Sequence, residues 1–390
     1  MSSTAIAEIS RSDLRSLPDA PTTASISNAK HLSSYNWIEA PTPTIAVPGS
    51  PALWAAPKTA QKLKQDSGLI YIAQNAARHP DSPLEPLFRA LYITNPSFDI
   101  NSIDVVTDRN NIRKLLSFIE PSMSKNGLEE FTIGVETVGN TVIFSRDEAK
   151  TQEIIRPHEF RGFGHEFEKA YTTDKVKDST GHHRIISYSF GGLNLIVRYE
   201  TDGYVGTNSM PSSSSKGQAP ADLSSILESL SLGPSSKPPA VDPKGSKLTI
   251  KENGQMVTQG STLEIKTRVS HKPIEIREVA PQLWASQTPR LVRAYHQRGV
   301  FRPPVVEDVS AQVKRWELDN QIHLRRLVAL IRKIMSLARS RNGSVVLKYD
   351  PTRDKLVVRE VHRKKMLPED LYAKWNDGKT VTEALNGLEV

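Results

Sequence analysis

Two short acidic strings carry the chemistry of this chain: Tyr199-Glu200-Thr201-Asp202 and Leu263-Glu264-Ile265-Lys266-Thr267. Each ends or lies within an apolar, β-branched run. Side chains two apart on a strand point to the same face, so Glu200 and Asp202 share a face, as do Glu264 and Lys266. Set side by side, the two strands bring three carboxylates and an ammonium together. Carboxylate oxygens are the ligands that Mg2+ and Mn2+ prefer. Such an ion lowers the pKa of a bound water and neutralises charge on a phosphoryl group, and a lysine beside it can orient that water. The arrangement therefore points to phosphodiester hydrolysis. Either string alone is an ordinary alternating-charge strand; the joint placement at the ends of apolar runs sets them apart.

The elements that must position these residues follow from the pattern around them. Arg184 to Val205 reads as a hairpin turning at Gly191-Gly192, and strand-like alternation resumes from Leu248 to Arg268. Between them, 207–246 is almost all Ser, Pro, Gly, Lys and Ala, the composition of a disordered insertion. Phe131 to Phe144 reads as two strands around Gly139-Asn140, and Ser344 to Tyr349 with Lys355 to Val361 as a closing hairpin. Helical spacing occurs over Leu69 to Ala77 and over Asn111 to Ile119, where Ile112, Leu115, Leu116 and Ile119 recur. Phe160 to Tyr171 is a glycine-led entry into a helix. Gln282 to Ala294 is a helix broken near Pro289, then a strand. Val309 to Arg341 is expected to be the longest helix, with Val313, Leu324, Ile331 and Ala338 along one buried row and Trp316, Leu327 and Ile334 along another. Thr42 to Pro57 is a proline-punctuated segment draped over the domain and anchored by Trp54. The expectation is an α/β fold: one domain with a central mixed β-sheet flanked by helices. Its two parts are 35–206 and 247–375, with a mobile Ser/Ala/Thr-rich tail at 1–34 and a second tail at 376–390.

Further strings extend the pattern. Gly164-His165-Glu166-Phe167-Glu168 opens the helix before the first acidic string, and Trp284-Ala285-Ser286-Gln287 with Pro289-Arg290 follows the second. In that order the set resembles a divergent, fungal-type member of the decapping and 5′-end exonuclease (DXO-like) family, a branch of the PD-(D/E)xK nuclease superfamily. That family has a G-Y/F-x-F-E helix, a G-E-x-D strand, an E-L-K-T strand and a W-x-Q-S helix leading into a V-P-R-I strand. No one of these motifs is specific; four in order are. The resemblance implies a PD-(D/E)xK nuclease-like core around the long insertion, and a metal-dependent RNA 5′-end nuclease or decapping hydrolase. It implies Mg2+ or Mn2+ held by Glu168, Glu200, Asp202, Glu264 and the backbone carbonyl of Ile265. Lys266 would position the attacking water, and Gln287 would hold the scissile phosphate or that lysine. Two departures stand out. The family's W-R-G-x-x-T motif, whose arginine contacts the RNA 5′ end, is matched here to Thr137-Val138-Gly139-Asn140-Thr141, with Val138 at the arginine's place. Tyr199 replaces the glycine before E-x-D.

The charge balance agrees with a polyanionic partner. The net charge is +8, and from Arg268 to Arg341 there are 15 Lys and Arg against 6 Asp and Glu. Arg290, Arg293 and Arg298 are the candidates for contacting nucleic acid. The rows Lys314, Arg325, Arg332, Arg339 and Arg315, Arg326, Lys333 suit a phosphate backbone as well as they suit a solvated helix face. Trp284 fits the core better than a base stack. The chain has no cysteine, so disulfides, thiolate zinc sites and thiol nucleophiles are excluded. The N-terminus lacks a signal-peptide pattern and no apolar run is long enough to span a bilayer. An intracellular protein, nuclear or cytoplasmic, is expected. His158-Glu159 and His165-Glu166 lack the histidine four positions on that a zincin requires, and His182-His183 reads as an exposed polar turn. No P-loop, D-D-x-x-D string or internal repeat is present. Two other functions compete: a catalytically weak relative that binds RNA or partners a 5′–3′ exoribonuclease, and a DNA-directed nuclease of the same superfamily.

Overall fold

The computed structural model describes residues 5–15, 21–124, 127–157, 159, 162–206, 243, 245–341 and 344–376. The expected insertion at 207–246 lies outside the described residues except for 243, 245 and 246, and the C-terminal tail lies outside them except for Asn376.

The first third of the chain forms β1 (Ala5–Ser10), β2 (Ile26–Ile38), β3 (Thr44–Gly49), β4 (Leu53–Trp54), β5 (Gln61–Lys62), β6 (Gly68–Tyr71), α1 (Gln74–Arg78), α2 (Glu85–Thr94), β7 (Val105–Asp108) and α3 (Arg109–Ile119). Next come β8 (Phe131–Val138), β9 (Thr141–Asp147), β10 (Gln152–Ile155), α4 (Gly164–Tyr171), β11 (Thr172–Thr173), β12 (Ser179–Phe190), β13 (Leu193–Glu200) and β14 (Gly203–Tyr204). The remainder is β15 (Thr249–Gly254), β16 (Thr262–Val269), α5 (Ile276–Ser286), β17 (Arg290–Gln297), β18 (Val300–Phe301), β19 (Val306–Asp308), α6 (Ser310–Asp319), α7 (Gln321–Arg339), β20 (Ser344–Asp350), β21 (Lys355–Val361) and α8 (Glu369–Tyr372).

These elements make a mixed α/β fold with two large sheets where one was expected. The first has eleven strands in the order β1-β21-β20-β8-β9-β7-β13-β12-β2-β3-β15. Within it β7 runs parallel to β9 and β13, and β15 parallel to β3; the other neighbours are antiparallel. The second has the order β11-β4-β14-β16-β17-β18-β5, with β19 also on β17, while β6 and β10 pair on their own. Period-two alternation buries both faces of the first sheet. Leu195, Val197 and Tyr199 of β13 join a core with residues of α3, α5 and α7, whereas Ile196 joins a second core with α2. The second sheet packs Leu263, Ile265 and Val292 against Phe167 and Tyr171 of α4. A buried pair locks β13 to β7: Arg198 Nε and Nη2 donate to Asp108 Oδ1 and Oδ2 at 2.7 and 3.0 Å.

Several expectations are corrected. Much of the N-terminal stretch is sheet, not tail: β1 pairs with β21, and β2 pairs with β12 along most of its length. Thr42 to Pro57 contributes β3 and β4 to the two sheets rather than draping over them. Leu69 to Ala77 divides into β6 and the start of α1. The long C-terminal helix breaks at Asn320, whose side chain donates to the Trp316 carbonyl at 2.8 Å, a local bond that competes with helix continuation. His182 and His183 are buried in β12, at 3% and 4% exposure, because β2 and β13 flank that strand.

Candidate active site

The two acidic strings meet where one strand changes sheets. β13 ends at Glu200, Thr201 and Asp202 cross over, and β14 enters the second sheet with Gly203 opposite Leu263 of β16. The strands bearing Glu200 and Glu264 are therefore not sheet neighbours, and Asp202 is the link between them. Its Oδ2 accepts from the Ile265 backbone N–H at 2.7 Å, and its carboxyl shares a hydrogen bond with Glu264. Leu263 and Ile265 face the α4 cluster, so alternation turns Glu264 and Lys266 the other way. There Lys266 Nζ lies 2.5 Å from Glu264 Oε1.

Glu168 comes from α4. That helix has no side-chain cap at Phe163; Asp66, from the loop before β6, accepts from the Glu166 N–H at 2.9 Å instead. Glu168, Glu200 and Asp202 line one cleft of about 690 Å³, with Tyr71, Gln74 and His165 also in its wall. Glu200 sits against bare backbone: a Cβ on Gly181 would lie 3.0 Å from its Oε1 and 2.6 Å from Gln74 Oε1. Glu200 also borders a second cavity, of about 120 Å³, whose wall includes Arg109, Arg113 and Arg146.

Electrostatics follow from this crowding. Burial pushes Glu168 well above the usual carboxylate range, and Asp202 and Glu200 add to the push. Burial and Glu264 push Asp202 up to about 7. Burial also raises Glu200, against Arg109 and His165; its side chain is open to the cleft, which tempers the effect. Burial opposes charge on Glu264, yet Lys266 and Arg109 hold it down at about 2. Against the same burial, Glu264 and Asp202 keep Lys266 raised and protonated. Burial and mutual repulsion thus push Asp202 up while the cations beside Glu264 hold that carboxylate down.

Among the described residues, no group of three His, Asp or Glu side chains is gathered tightly enough to hold a metal ion as the side chains stand. Glu264 is turned to Lys266, Gln282 and Arg109, and Asp202 to the Ile265 N–H. The donor set nevertheless fits a hard divalent cation. Four carboxylates raise or compensate one another across a small volume, and a cation is the partner that relieves such repulsion.

Two residues at the site were not anticipated. Arg109, in the first turn of α3, donates to Glu264 Oε2 at 3.2 Å. Gln282, on α5, donates to Glu264 Oε1. Both correct the sequence reading. Val138 lies beside the β8–β9 turn, at the other end of β9 from Arg146, in a cavity with Tyr372 and Trp375; the arginine bonded to a site carboxylate is Arg109. The signal for it is Asp108-Arg109-Asn110 running into Ile112 and Leu115, an arginine opening an amphipathic helix after a buried strand. Gln287 is turned away: it is the left-handed C-cap of α5, its side chain donating to the Trp284 carbonyl at 2.6 Å. Five residues at about 100° each put it on a different side of the helix from Gln282.

The expected nucleic-acid arginines are spread along β17. Arg293 is in register with Lys266 and bonds Glu307 at 2.8 Å. Arg290 donates to the Gly260 carbonyl at 3.0 Å. Arg298 sits in the turn beyond the strand, its carbonyl bonded to Lys62. Of the basic rows on the last helices, Arg332 and Arg339 bond backbone carbonyls of Gly191 and Asn140, and Lys314 pairs with Glu317. Trp284 is core, 1% exposed, with its indole N–H on Glu317.

This architecture matches solved structures of fungal Rai1 proteins over nearly their whole length. S. pombe Rai1 is 11% identical, with a TM-score of 0.54 covering 91% of this chain and 99% of that one. Candida albicans Rai1, in complex with pU5-Mn2+, is 12% identical, with a TM-score of 0.57 over 95% and 99%. Scheffersomyces stipitis Rai1, in complex with (3'-NADP)+ and calcium ion, is 11% identical, with a TM-score of 0.59 over 97% and 100%. The fold is DXO/Rai1-like. No curated protein matches the sequence significantly. The family match spans residues 9–375, and the chain belongs to that family, described as Domain of unknown function (DUF8563).

Proposed function

We propose that this protein is a metal-dependent hydrolase of RNA 5′ ends, cleaving a phosphodiester or cap linkage. The observation that carries the reading is that Glu168, Glu200 and Asp202 line one cleft, that Asp202 bonds the β16 backbone beside Glu264 and a raised Lys266, and that Arg109, Arg113 and Arg146 line the adjoining cavity. Glu168, Glu200, Asp202, Glu264 and the Ile265 carbonyl would hold Mg2+ or Mn2+. When bound, the ion supplies a water of lowered pKa and offsets phosphoryl charge. Lys266 donates hydrogen bonds to the attacking water or to a phosphoryl oxygen. Gln282 and Arg109 fix the rotamer of Glu264. Arg109, Arg113 and Arg146 take phosphate oxygens of the bound strand. RNA as substrate is favoured by the likeness to a Rai1 that was solved with pU5. A 5′–3′ exoribonuclease acting on the monophosphorylated product is the partner this reading implies, in the nucleus or the cytoplasm.

The competing view, a relative that only binds RNA or a nuclease, drew on the apparent absence of the family arginine. Arg109, bonded to Glu264 beside the cleft, supports the catalytic reading over that one. Among the described residues no helix is long and apolar enough to cross a membrane.

The test is cleavage of 5′-monophosphate, triphosphate, capped and NAD-capped RNA, and of matched DNA, with Mg2+ or Mn2+ and with chelator. Asp202→Ala and Glu264→Ala are run in parallel. The reading expects metal-dependent products from RNA that both variants lose. Identical products from wild type and variants, or none from any, defeat it.

A further inference from the structure

One histidine in the cleft has no part in the site just described. His165 sits at the second position of α4, in the place where the resembling motif has an aromatic residue. Its side chain is 53% exposed and lines the same cleft as Glu168, Glu200 and Asp202. Behind it Asp66 is buried, 2% exposed, with Oδ2 3.5 Å from His165 Nδ1 and Oδ1 on the Glu166 N–H. Capping α4 needs only the backbone bond. Asp66 also meets the His165 N–H, and its Oδ2 faces Nδ1 of the ring, which leaves Nε2 for the cleft. A histidine whose far nitrogen is fixed by a buried carboxylate is the recurring way to hold a ring for proton transfer.

Resting on the hydrolase reading, we propose that His165, positioned by Asp66, is the general acid that protonates the leaving oxygen when a phosphodiester is cleaved in this cleft. The water oxygen bonds to phosphorus and the bond from phosphorus to the leaving oxygen breaks. The electron pair stays on that oxygen, which takes the proton from Nε2 of the imidazolium. The water gives up one proton to solvent, and solvent reprotonates the ring. An alkoxide is a poor leaving group, so a positioned acid contributes roughly 10²–10⁴-fold.

The charges around the ring keep the acid form available. The Asp66 hydrogen bond raises His165 above its ordinary value, while burial and Lys169 on its own helix oppose it; Glu200 on β13 also faces the ring, but its charge counts towards the acid form only without a bound cation. Burial works against charge on Asp66, yet His165 and the N–H groups of the α4 terminus keep it below the usual range. Glu39 and Asp174, farther along the cleft wall, are also acidic.

The test compares two substrates of the Mn2+-loaded enzyme: an RNA oligonucleotide, whose leaving group needs a proton, and thymidine 5′-(p-nitrophenyl phosphate), whose leaving group does not. His165→Asn should lower the ratio of RNA to nitrophenyl-ester cleavage by about 10²-fold, with Mn2+ affinity and thermal midpoint as in wild type. Asp66→Asn, which can still accept from the Glu166 N–H, should move the alkaline limb of the RNA kcat/KM profile to lower pH. An unchanged ratio, or an unmoved alkaline limb should His165→Asn not fold, overturns the role of His165 while the hydrolase reading stands. A wild type that cleaves neither substrate defeats both.

Discussion

Glu264 is the residue on which the site turns. It is 2% exposed and bonded by Lys266, Gln282 and Arg109, so its charge is compensated only while those partners stay. Glu264→Gln removes that charge, and Lys266 loses the main influence that raises it; the ammonium should titrate at lower pH, read by NMR of the labelled lysine. Gly181 sets a second constraint. A side chain there meets the end of Gln74 first and that of Glu200 next, so Gly181→Ala should shift both and lower RNA cleavage by up to about 10²-fold. An unchanged rate would mean that the position of Glu200 is not critical. At this scale the sequence was legible where alternation alone decides, as for Glu264 and Lys266 on one face of β16. It was not legible for Arg109 and Gln282. Their helices were recognisable, but which helical residue reaches a carboxylate on another element depends on tertiary placement. His182 and His183 were misread for a related reason: polar neighbours suggested a turn, whereas a central strand buries whatever it carries.

The site is assembled from the last residue of β13, the crossover to β14, the first half of β16, the first turn of α3 and the second turn of α4. Asp66 caps α4 from outside the helix, so Asp66→Ala should cost about 0.5–2 kcal/mol in urea unfolding and weaken Mn2+ binding by freeing Glu168. On α5 the two glutamines separate cleanly. Gln282→Ala should lower cleavage by about 10²-fold, whereas Gln287→Ala should leave the rate near wild type, and the reverse order would show that α5 is rotated in the active state. The pair Arg198–Asp108 fastens β13 to β7 where it is almost wholly buried. Asp108→Ala leaves that arginine without its carboxylate and should cost about 3–5 kcal/mol. The hairpins around Gly139-Asn140 and Gly191-Gly192 were legible, because φ is positive at each glycine and each lies between β-branched runs. The break at Asn320 was not, since neither Gly nor Pro marks it.

Across the whole molecule, stability should fall on the acid side for identifiable reasons. Burial, with Arg184 nearby, lowers His31 to about 4, and burial with Arg184 and His183 holds His182 well below its ordinary value. Both are neutral in the fold and take up protons when unfolded, so their contribution is complete above about pH 6.5 and is lost as pH falls below it. Glu317 adds a second step. Burial opposes its charge, but Lys314, the Ile26 N–H and Trp284 keep it depressed; its contribution is present above about pH 4.5 and is lost as pH falls through its lower folded value. The raised carboxyls Glu168 and Asp202 work the other way over the same range, so the histidine step is read as a difference: between pH 8 and 5 the urea midpoint of His31→Gln should fall less than that of wild type, and equal falls would contradict the buried histidines. At this scale the sequence showed an α/β chain with a mixed sheet but hid the division into two sheets, because the crossover at Thr201-Asp202 carries no turn signal. It also hid the N-terminal strands, whose Ser/Ala/Thr composition resembles a tail although their partners bury Ile9, Tyr35 and Trp37. The central claim is that carboxylates from α4, the crossover and β16 form one divalent-metal site, and Mn2+ titration by calorimetry tests it most directly. One shared site predicts that Glu168→Gln, Asp202→Asn and Glu264→Gln each weaken Mn2+ binding at least about tenfold while the fold is retained; wild-type affinity in all three would contradict it.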